Sequence, residues 1–279
     1  VTPLLEVLQG TDAFLKKKGS ASPRLDAELL LGHVLKLSRL DVYMNFERPL
    51  TDPELDVLRP LVKRRGERVP MAYLLGKKEF WSIDFACAPG VLIPRPDTET
   101  LVEAALPFCE GETFLVDVGA GTGCLGLAIA KECPEVKLFA TDLSPEALAL
   151  VKQNVLALEM KNRVAVLRGN LLDPVPAERR IDVVVSNPPY IPSGEIDGLE
   201  PEVSTHEPRL ALDGGTDGLD CYRALIPAAF ARAQRACLVE VGKGQAPDVA
   251  ALFEQAGFVD VQTHADLAGV DRVVSGRKG

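Results

Sequence analysis

From Phe114 onward, short apolar runs alternate with segments of helical length, and this alternation restricts the fold more than any other feature of the chain. Strands are expected near 114–118, 136–141, 164–168, 181–186 and 236–241. Helices are expected near 123–132, 144–158, 217–233 and 245–256, with Ser144-Pro145 supplying a cap and a proline at the first helical position. Such alternation predicts an α/β fold: a mostly parallel sheet with helices on both faces. A ligand then lies beyond the carboxyl ends of the strands, near the point where strand order reverses. The stretch from Phe258 to Gly276 reads as two further strands.

Four groups of residues fall at those strand ends. Phe114-Leu115-Val116-Asp117-Val118 runs directly into Gly119-Ala120-Gly121-Thr122-Gly123, and an apolar helix follows. Glycines in such a turn permit positive φ and a close approach of backbone to ligand. The second strand ends in Asp142, a carboxylate able to accept both hydroxyls of a ribose. Gly169-Asn170-Leu171 closes the third strand, where an adenine would lie, and Asn187 closes the fourth. Gly121-x-Gly123-x-x-Gly126 also matches the dinucleotide fingerprint, with Asp142 following at the right distance. That reading leaves the next motif unexplained.

Ile181-Asp182-Val183-Val184-Val185-Ser186 leads into Asn187-Pro188-Pro189-Tyr190. Each proline fixes its own φ, removes an N–H and pushes the preceding residue toward extended geometry. The product is a stiff corner with free carbonyls and one aromatic ring. The Asn187 side-chain oxygen and the Pro188 carbonyl can each accept one N–H of an uncharged –NH2 group, and Tyr190 can cover its plane. Asn187, Pro188, Pro189 and Tyr190 are therefore the candidate substrate contacts, with Asn187, Pro188 and Tyr190 the candidate catalytic residues.

The first quarter reads as short helices. Thr2-Pro3, Ser22-Pro23 and Asp52-Pro53 are read as three cap-plus-proline starts, and Gly19 as a stop. Lys16-Lys17-Lys18 and Lys63-Arg64-Arg65 read as helix ends, where cations favour the negative pole. Residues near 76–88 look like a β-hairpin, and Asp97-Thr98-Glu99 looks like the cap of the next helix. The expected organisation is a helical domain over 1–74, a hairpin and hinge over 75–96, and an α/β domain over 97–279.

A net charge of −9 in 279 residues argues against a duplex-DNA binder, which usually carries a basic footprint. The six cysteines include no Cys-x-x-Cys and the three histidines do not cluster, so no metal is expected. No apolar stretch reaches membrane-spanning length and no signal peptide stands out, which makes a cytoplasmic location the expectation. A first residue Val in place of Met reads as trimming or an alternative start.

The combination of Asp117-x-Gly119-x-Gly121-x-Gly123 with Asn187-Pro188-Pro189-Tyr190 resembles the class I S-adenosylmethionine-dependent methyltransferases that modify planar nitrogens. Phe80-Trp81-Ser82, Pro94-Arg95-Pro96-Asp97-Thr98-Glu99, Glu207-Pro208-Arg209-Leu210 and Gly214-Gly215-x-Asp217-Gly218-Leu219 resemble the bacterial release factor glutamine methyltransferases. The resemblance implies a seven-stranded sheet whose last strands include an antiparallel one. It implies S-adenosylmethionine held by Gly119, Ala120, Gly121, Thr122, Gly123, Asp142, Asn170, Leu171 and Asn187. It also implies the glutamine of a Gly-Gly-Gln loop in class I peptide chain release factors as acceptor, and a helical domain that docks that partner. A monomer without stable nucleic-acid binding is expected. This chain has Asn170 where the family commonly has Asp, with Asp173 nearby as a substitute charge. Three other readings fit less of the sequence: a nucleobase amino-methyltransferase, a module that binds the cofactor without turnover, and an NAD oxidoreductase.

Overall fold

The computed structural model describes residues 2–279, which fall into two compact units. One runs through Gly76 and takes in Glu200–His206. The other comprises Lys77–Leu199 and Glu207–Gly279. No helix among the described residues is long and apolar enough to cross a membrane.

The first unit is helical, with helices Leu4–Lys17, Pro23–Leu35, Arg39–Met44, Asp52–Gly66 and Met71–Leu75. Leu4, Leu8, Leu15, Leu30, Leu31 and Val42 are fully buried and form its core. Burying each such side chain contributes about 1.5–3 kcal/mol. Thr2-Pro3 is not a cap-plus-proline start. It forms a short strand, β1 (Thr2–Pro3), antiparallel to β2 (Pro49–Leu50). The Leu4 N–H is satisfied by the Arg48 carbonyl at 2.8 Å, so the helix needs no side-chain cap there. The third start is capped by Thr51, one residue earlier than expected, through a reciprocal box with Glu54.

Arg65 was expected as a cation at a helix end, and it does lie in the last turn of Asp52–Gly66. Yet it is only 6 % exposed. Its guanidinium pairs with Asp26 at 2.7 Å and with Glu202 at 2.8 Å. Arg68 also pairs with Glu202, and His206 Nε2 lies 3.3 Å from the Glu67 carbonyl. Sequence order put Glu200–His206 in the α/β domain; these contacts put the segment in the helical unit.

The second unit opens with a hairpin, β3 (Lys77–Phe80) and β4 (Ile83–Ala86). Its two turn residues, Trp81 and Ser82, both have positive φ, 53° and 54°. This is the turn geometry whose twist matches that of antiparallel strands. Phe80, Ile83 and Phe85 enter the main core of this unit, so the hairpin packs as part of it.

The central sheet has β5 (Thr113–Val118), β6 (Val136–Asp142), β7 (Val164–Arg168), β8 (Ile181–Ser186), β9 (Ala233–Glu240), β10 (Val259–Ala265) and β11 (Asp271–Arg277). Their spatial order is β10-β11-β9-β8-β5-β6-β7. β11 runs antiparallel to both β9 and β10, while β5 through β9 pair in parallel. Side chains alternate across this sheet, as strand geometry requires. Val183 and Val185 face one core with Leu115 and Leu127; Val184 faces the other with Val116 and Tyr222. The chain moves from β5 outward to β6 and β7, then returns to place β8 on the other side of β5. The switch point therefore lies between the carboxyl ends of β5 and β8.

Candidate active site

A cavity of about 500 Å³ opens at that switch point. Its wall includes Gly119, Ala120, Gly121 and Thr122 after β5, Asp142 at the end of β6, Asn170 and Leu171 after β7, and Asn187, Pro188 and Pro189 after β8. Gly90–Arg95, Thr98, Pro208, Leu210 and Ala211 also line it. Residues far apart in the chain thus share one space because the strand order brings their carboxyl ends together.

The glycine loop is fixed by backbone bonds. Gly119, Gly121 and Gly123 have φ of 70°, 58° and 81°, in the left-handed region that side chains disfavour. Gly119 and Ala120 donate to the Thr141 carbonyl, at 2.9 and 3.0 Å. Gly123 is the loop glycine that does not reach the cavity wall. It starts the helix Cys124–Glu132. Asp117, fully buried, accepts from the Gly126 N–H at 2.9 Å, and a Cβ on Gly126 would meet Asp117 at the same distance. Gly126 is therefore a helix–strand packing residue, which accounts for the apparent dinucleotide fingerprint.

Asp142 holds the loop from the neighbouring strand. Its Oδ2 accepts from the Gly121 N–H and its Oδ1 from the Ser144 N–H, both at 2.9 Å. A carboxylate oxygen has a second lone pair, so each remains able to accept a hydroxyl. Asn170 is on the wall beside Leu171, whose φ of 46° turns the backbone sharply. Asp173 is not on the wall; its N–H closes a turn onto the Asn170 carbonyl. The donor set fits S-adenosylmethionine: carboxylate acceptors for a ribose, an open glycine backbone, and apolar walls such as Val91, Leu143 and Leu171 for a flat base. No cluster of His, Cys, Asp or Glu among the described residues is arranged to hold a metal.

The Asn187 amide commits its Nδ2 to the Thr98 hydroxyl at 3.1 Å, which leaves its oxygen for a ligand. Thr98 does not act as the helix cap that its sequence context suggested; no side-chain cap bond forms there. Glu99 instead accepts from the Trp81 N–H at 2.8 Å, and Trp81 Nε1 donates to Glu132. Tyr190 corrects a second expectation. It is the one residue of its motif that does not line the cavity, and its hydroxyl points to Glu240 Oε1 at 3.3 Å.

The polar segment after the motif divides between the cavity and the corner. Pro208, Leu210 and Ala211 do line the cavity. Gly214 to Gly218 instead packs on the backbone of Tyr190, and Gln245 Nε2 donates to the Tyr190 carbonyl at 2.9 Å. Gly218 has φ of 77°, and a Cβ there would run into that carbonyl. Gly218→Ala is expected to destabilise the fold by more than about 1 kcal/mol and to lower turnover through the displaced corner. A variant with an unchanged unfolding midpoint contradicts this packing role.

Two buried carboxyls make stability depend on pH. Burial pushes Asp117 up to about 7, against the opposing pull of the Gly126 N–H. Burial likewise pushes Glu240 up to about 7, with Thr98 and Tyr190 pulling down as hydrogen-bond donors. The folded chain holds these protons more tightly than the unfolded chain. The resulting stabilisation is complete below the ordinary carboxylate range and is lost as pH rises through about 7. His264, lowered by burial, opposes this in part. The ligand-free protein is expected to melt lower at about pH 8 than at about pH 6, each carboxyl contributing at most about 1.4 kcal/mol per pH unit. A midpoint that climbs across that interval overturns the assignment.

Comparison with known proteins settles the family. Residues 6–76 match the PrmC N-terminal domain family, and residues 97–198 match the methyltransferase small domain family. The release factor glutamine methyltransferase of Geobacter sulfurreducens is 44% identical over 98% of this chain and 96% of its own length. The chain belongs to the release factor glutamine methyltransferase family. The family's Rhodospirillum rubrum member is 42% identical over 95% of this chain and 82% of its own. A methyltransferase structure from Pyrococcus furiosus shares the fold at a TM-score of 0.53 and 16% identity, covering 72% of this chain and 92% of that one. The seven-stranded sheet and the S-adenosylmethionine cofactor implied by the resemblance are those of this family.

Proposed function

We propose that the chain transfers a methyl group from S-adenosylmethionine to the side-chain amide nitrogen of the glutamine in the Gly-Gly-Gln motif of class I peptide chain release factors. One observation carries the reading. Asn187 turns its amino group onto Thr98, so that its own oxygen and the Pro188 carbonyl are the acceptors the corner offers a primary amide. The same cavity holds the glycine loop and Asp142.

An amide nitrogen shares its lone pair with its carbonyl and is a poor nucleophile. Two fixed acceptors on its two hydrogens draw the nitrogen toward a tetrahedral form and aim the lone pair along one direction. The sulfonium of the bound cofactor supplies an electrophilic methyl carbon. Transfer of that methyl group would make the amide nitrogen strongly acidic, so that its proton would leave without a base. The protein therefore needs no strong base. Its contribution is alignment and exclusion of water. Tyr190, away from the cavity, braces the corner through Glu240 and Gln245.

The expected roles are Asp142 and the glycine loop for the cofactor, Asn170 and Leu171 beside the adenine, and the residues of the 1–74 helical domain for docking the release factor. The net charge of −9 supports a protein acceptor over nucleic acid, and a monomer is the expected state. Side-by-side incubation with purified release factor and with bulk RNA or DNA tests the substrate class. Methylation that follows the release factor supports the reading. Methylation that follows nucleic acid transfers the same corner chemistry to an exocyclic base amine.

A further inference from the structure

We infer that Thr98 and Glu240 are positioning residues for methyl transfer: together they fix which end of the Asn187 amide faces the substrate. The inference rests on the proposed role of Asn187 as an acceptor for the substrate amide.

The two ends of an asparagine amide have the same shape, and only their hydrogen-bond partners decide which way they point. If the oxygen faces the cavity, it accepts a substrate N–H. If the amino group faces the cavity, it opposes that N–H donor to donor. The corner therefore works in one orientation and repels its substrate in the other.

Thr98 makes that choice. It is 3 % exposed, stands on the cavity wall and accepts from Asn187 Nδ2 at 3.1 Å. A hydroxyl has one hydrogen and two lone pairs. It presents a lone pair to Asn187 only if its hydrogen is directed elsewhere. Glu240 is the carboxyl placed to take it. This carboxyl, 1 % exposed at the end of β9, is near enough to the Thr98 hydroxyl for that group to favour its charged form. Glu240 Oε2 makes no close hydrogen bond and is the acceptor in want of a hydrogen. Above about pH 7, where this carboxyl is ionised, it is acceptor-only, draws the Thr98 hydrogen and leaves the lone pairs toward Asn187.

The carboxyl is itself held in place. Tyr190 Oη lies 3.3 Å from its Oε1, and Tyr222 Oη donates to the Glu240 backbone carbonyl at 2.8 Å. Arg272 stands near enough to favour the charge and pairs with Asp97 at 2.8 Å. The arrangement joins the last residue of the motif back to its first: Tyr190 to Glu240, Glu240 to Thr98, Thr98 to Asn187. Glu240 does not line the cavity, so it acts only through Thr98.

The test is steady-state methylation of release factor by Thr98→Val, Thr98→Ser, Glu240→Gln and Asn187→Ala, with cofactor Kd measured for each. Valine keeps the shape of threonine and removes the hydroxyl. Its kcat is expected to fall about tenfold to a hundredfold, with cofactor Kd within about twofold of the parent. Serine restores most of the loss because it keeps the hydroxyl. Glu240→Gln, which can donate as well as accept, is expected to lower kcat in the same way without altering the cavity wall. Parental kcat in both Thr98→Val and Glu240→Gln, beside an inactive Asn187→Ala, overturns this inference and leaves the site reading standing. Full activity in Asn187→Ala overturns both. Equal loss in Thr98→Ser and Thr98→Val also overturns it, since packing and not the hydroxyl would then be at stake.

Discussion

Asn187→Ala is expected to lower methyl transfer by about 10²–10³-fold, the loss that follows removal of one preorganised polar group aimed at a reacting centre. The substitution leaves the two prolines and their fixed backbone in place. The Pro188 carbonyl also remains, so one of the two substrate hydrogens keeps its acceptor. What disappears is the second acceptor, and with it the geometry that aims the nitrogen lone pair. Cofactor affinity is expected to stay within a few-fold, because Asp142 and the glycine loop are fixed by their own bonds to Gly121, Ser144 and Thr141. Single-turnover rates at saturating cofactor separate the two effects. Near-parental turnover removes Asn187 from the mechanism.

Asp142→Ala is expected to act on binding and not on the corner. A hydrogen bond to a charged group contributes about 1.5–3 kcal/mol, so the loss of one carboxylate–hydroxyl bond weakens cofactor binding by about tenfold to a hundredfold. The substitution also frees the Gly121 and Ser144 N–H groups that Asp142 now satisfies. The loop that covers the ligand thereby loosens, which adds to the loss. Titration calorimetry with S-adenosylmethionine measures this directly. Turnover at saturating cofactor is expected to recover much of its parental value, and an unchanged Kd contradicts the ribose assignment.

The strands of the sheet were legible because each is a short apolar run between turn signals, and their carboxyl ends carry the polar residues. Asp142, Asn170 and Asn187 could be placed on one edge from topology alone, since a parallel sheet gathers those ends together. The N-terminal helices were legible by periodicity, but Thr2-Pro3 was not. Proline after threonine suits both a helix start and an edge strand, and only the distant partner Pro49-Leu50 decides between them. The six-residue helix Arg39–Met44 is too short to show a period and depends on its Ser38–Asp41 capping box.

Side chains whose partners lie far along the chain were the least legible. Thr98 looks like a cap in its local context, and its partner Asn187 is 89 residues away. Arg65 looks like a helix-end cation, although Glu202, 137 residues away, helps to bury it. Nothing near Tyr190 in the sequence marks the partner of its hydroxyl, Glu240, which lies 50 residues on. The requirement for glycine at Gly218 comes from the Tyr190 carbonyl against which it packs.

In the proposed reaction this corner presents a glutamine amide of a release factor to the cofactor. Transfer of labelled methyl from S-adenosylmethionine to purified release factor tests it most directly, beside a release factor whose Gly-Gly-Gln glutamine is replaced by alanine. Label on the first and none on the second is expected. Equal label on both, or none on either with cofactor binding confirmed, would contradict it.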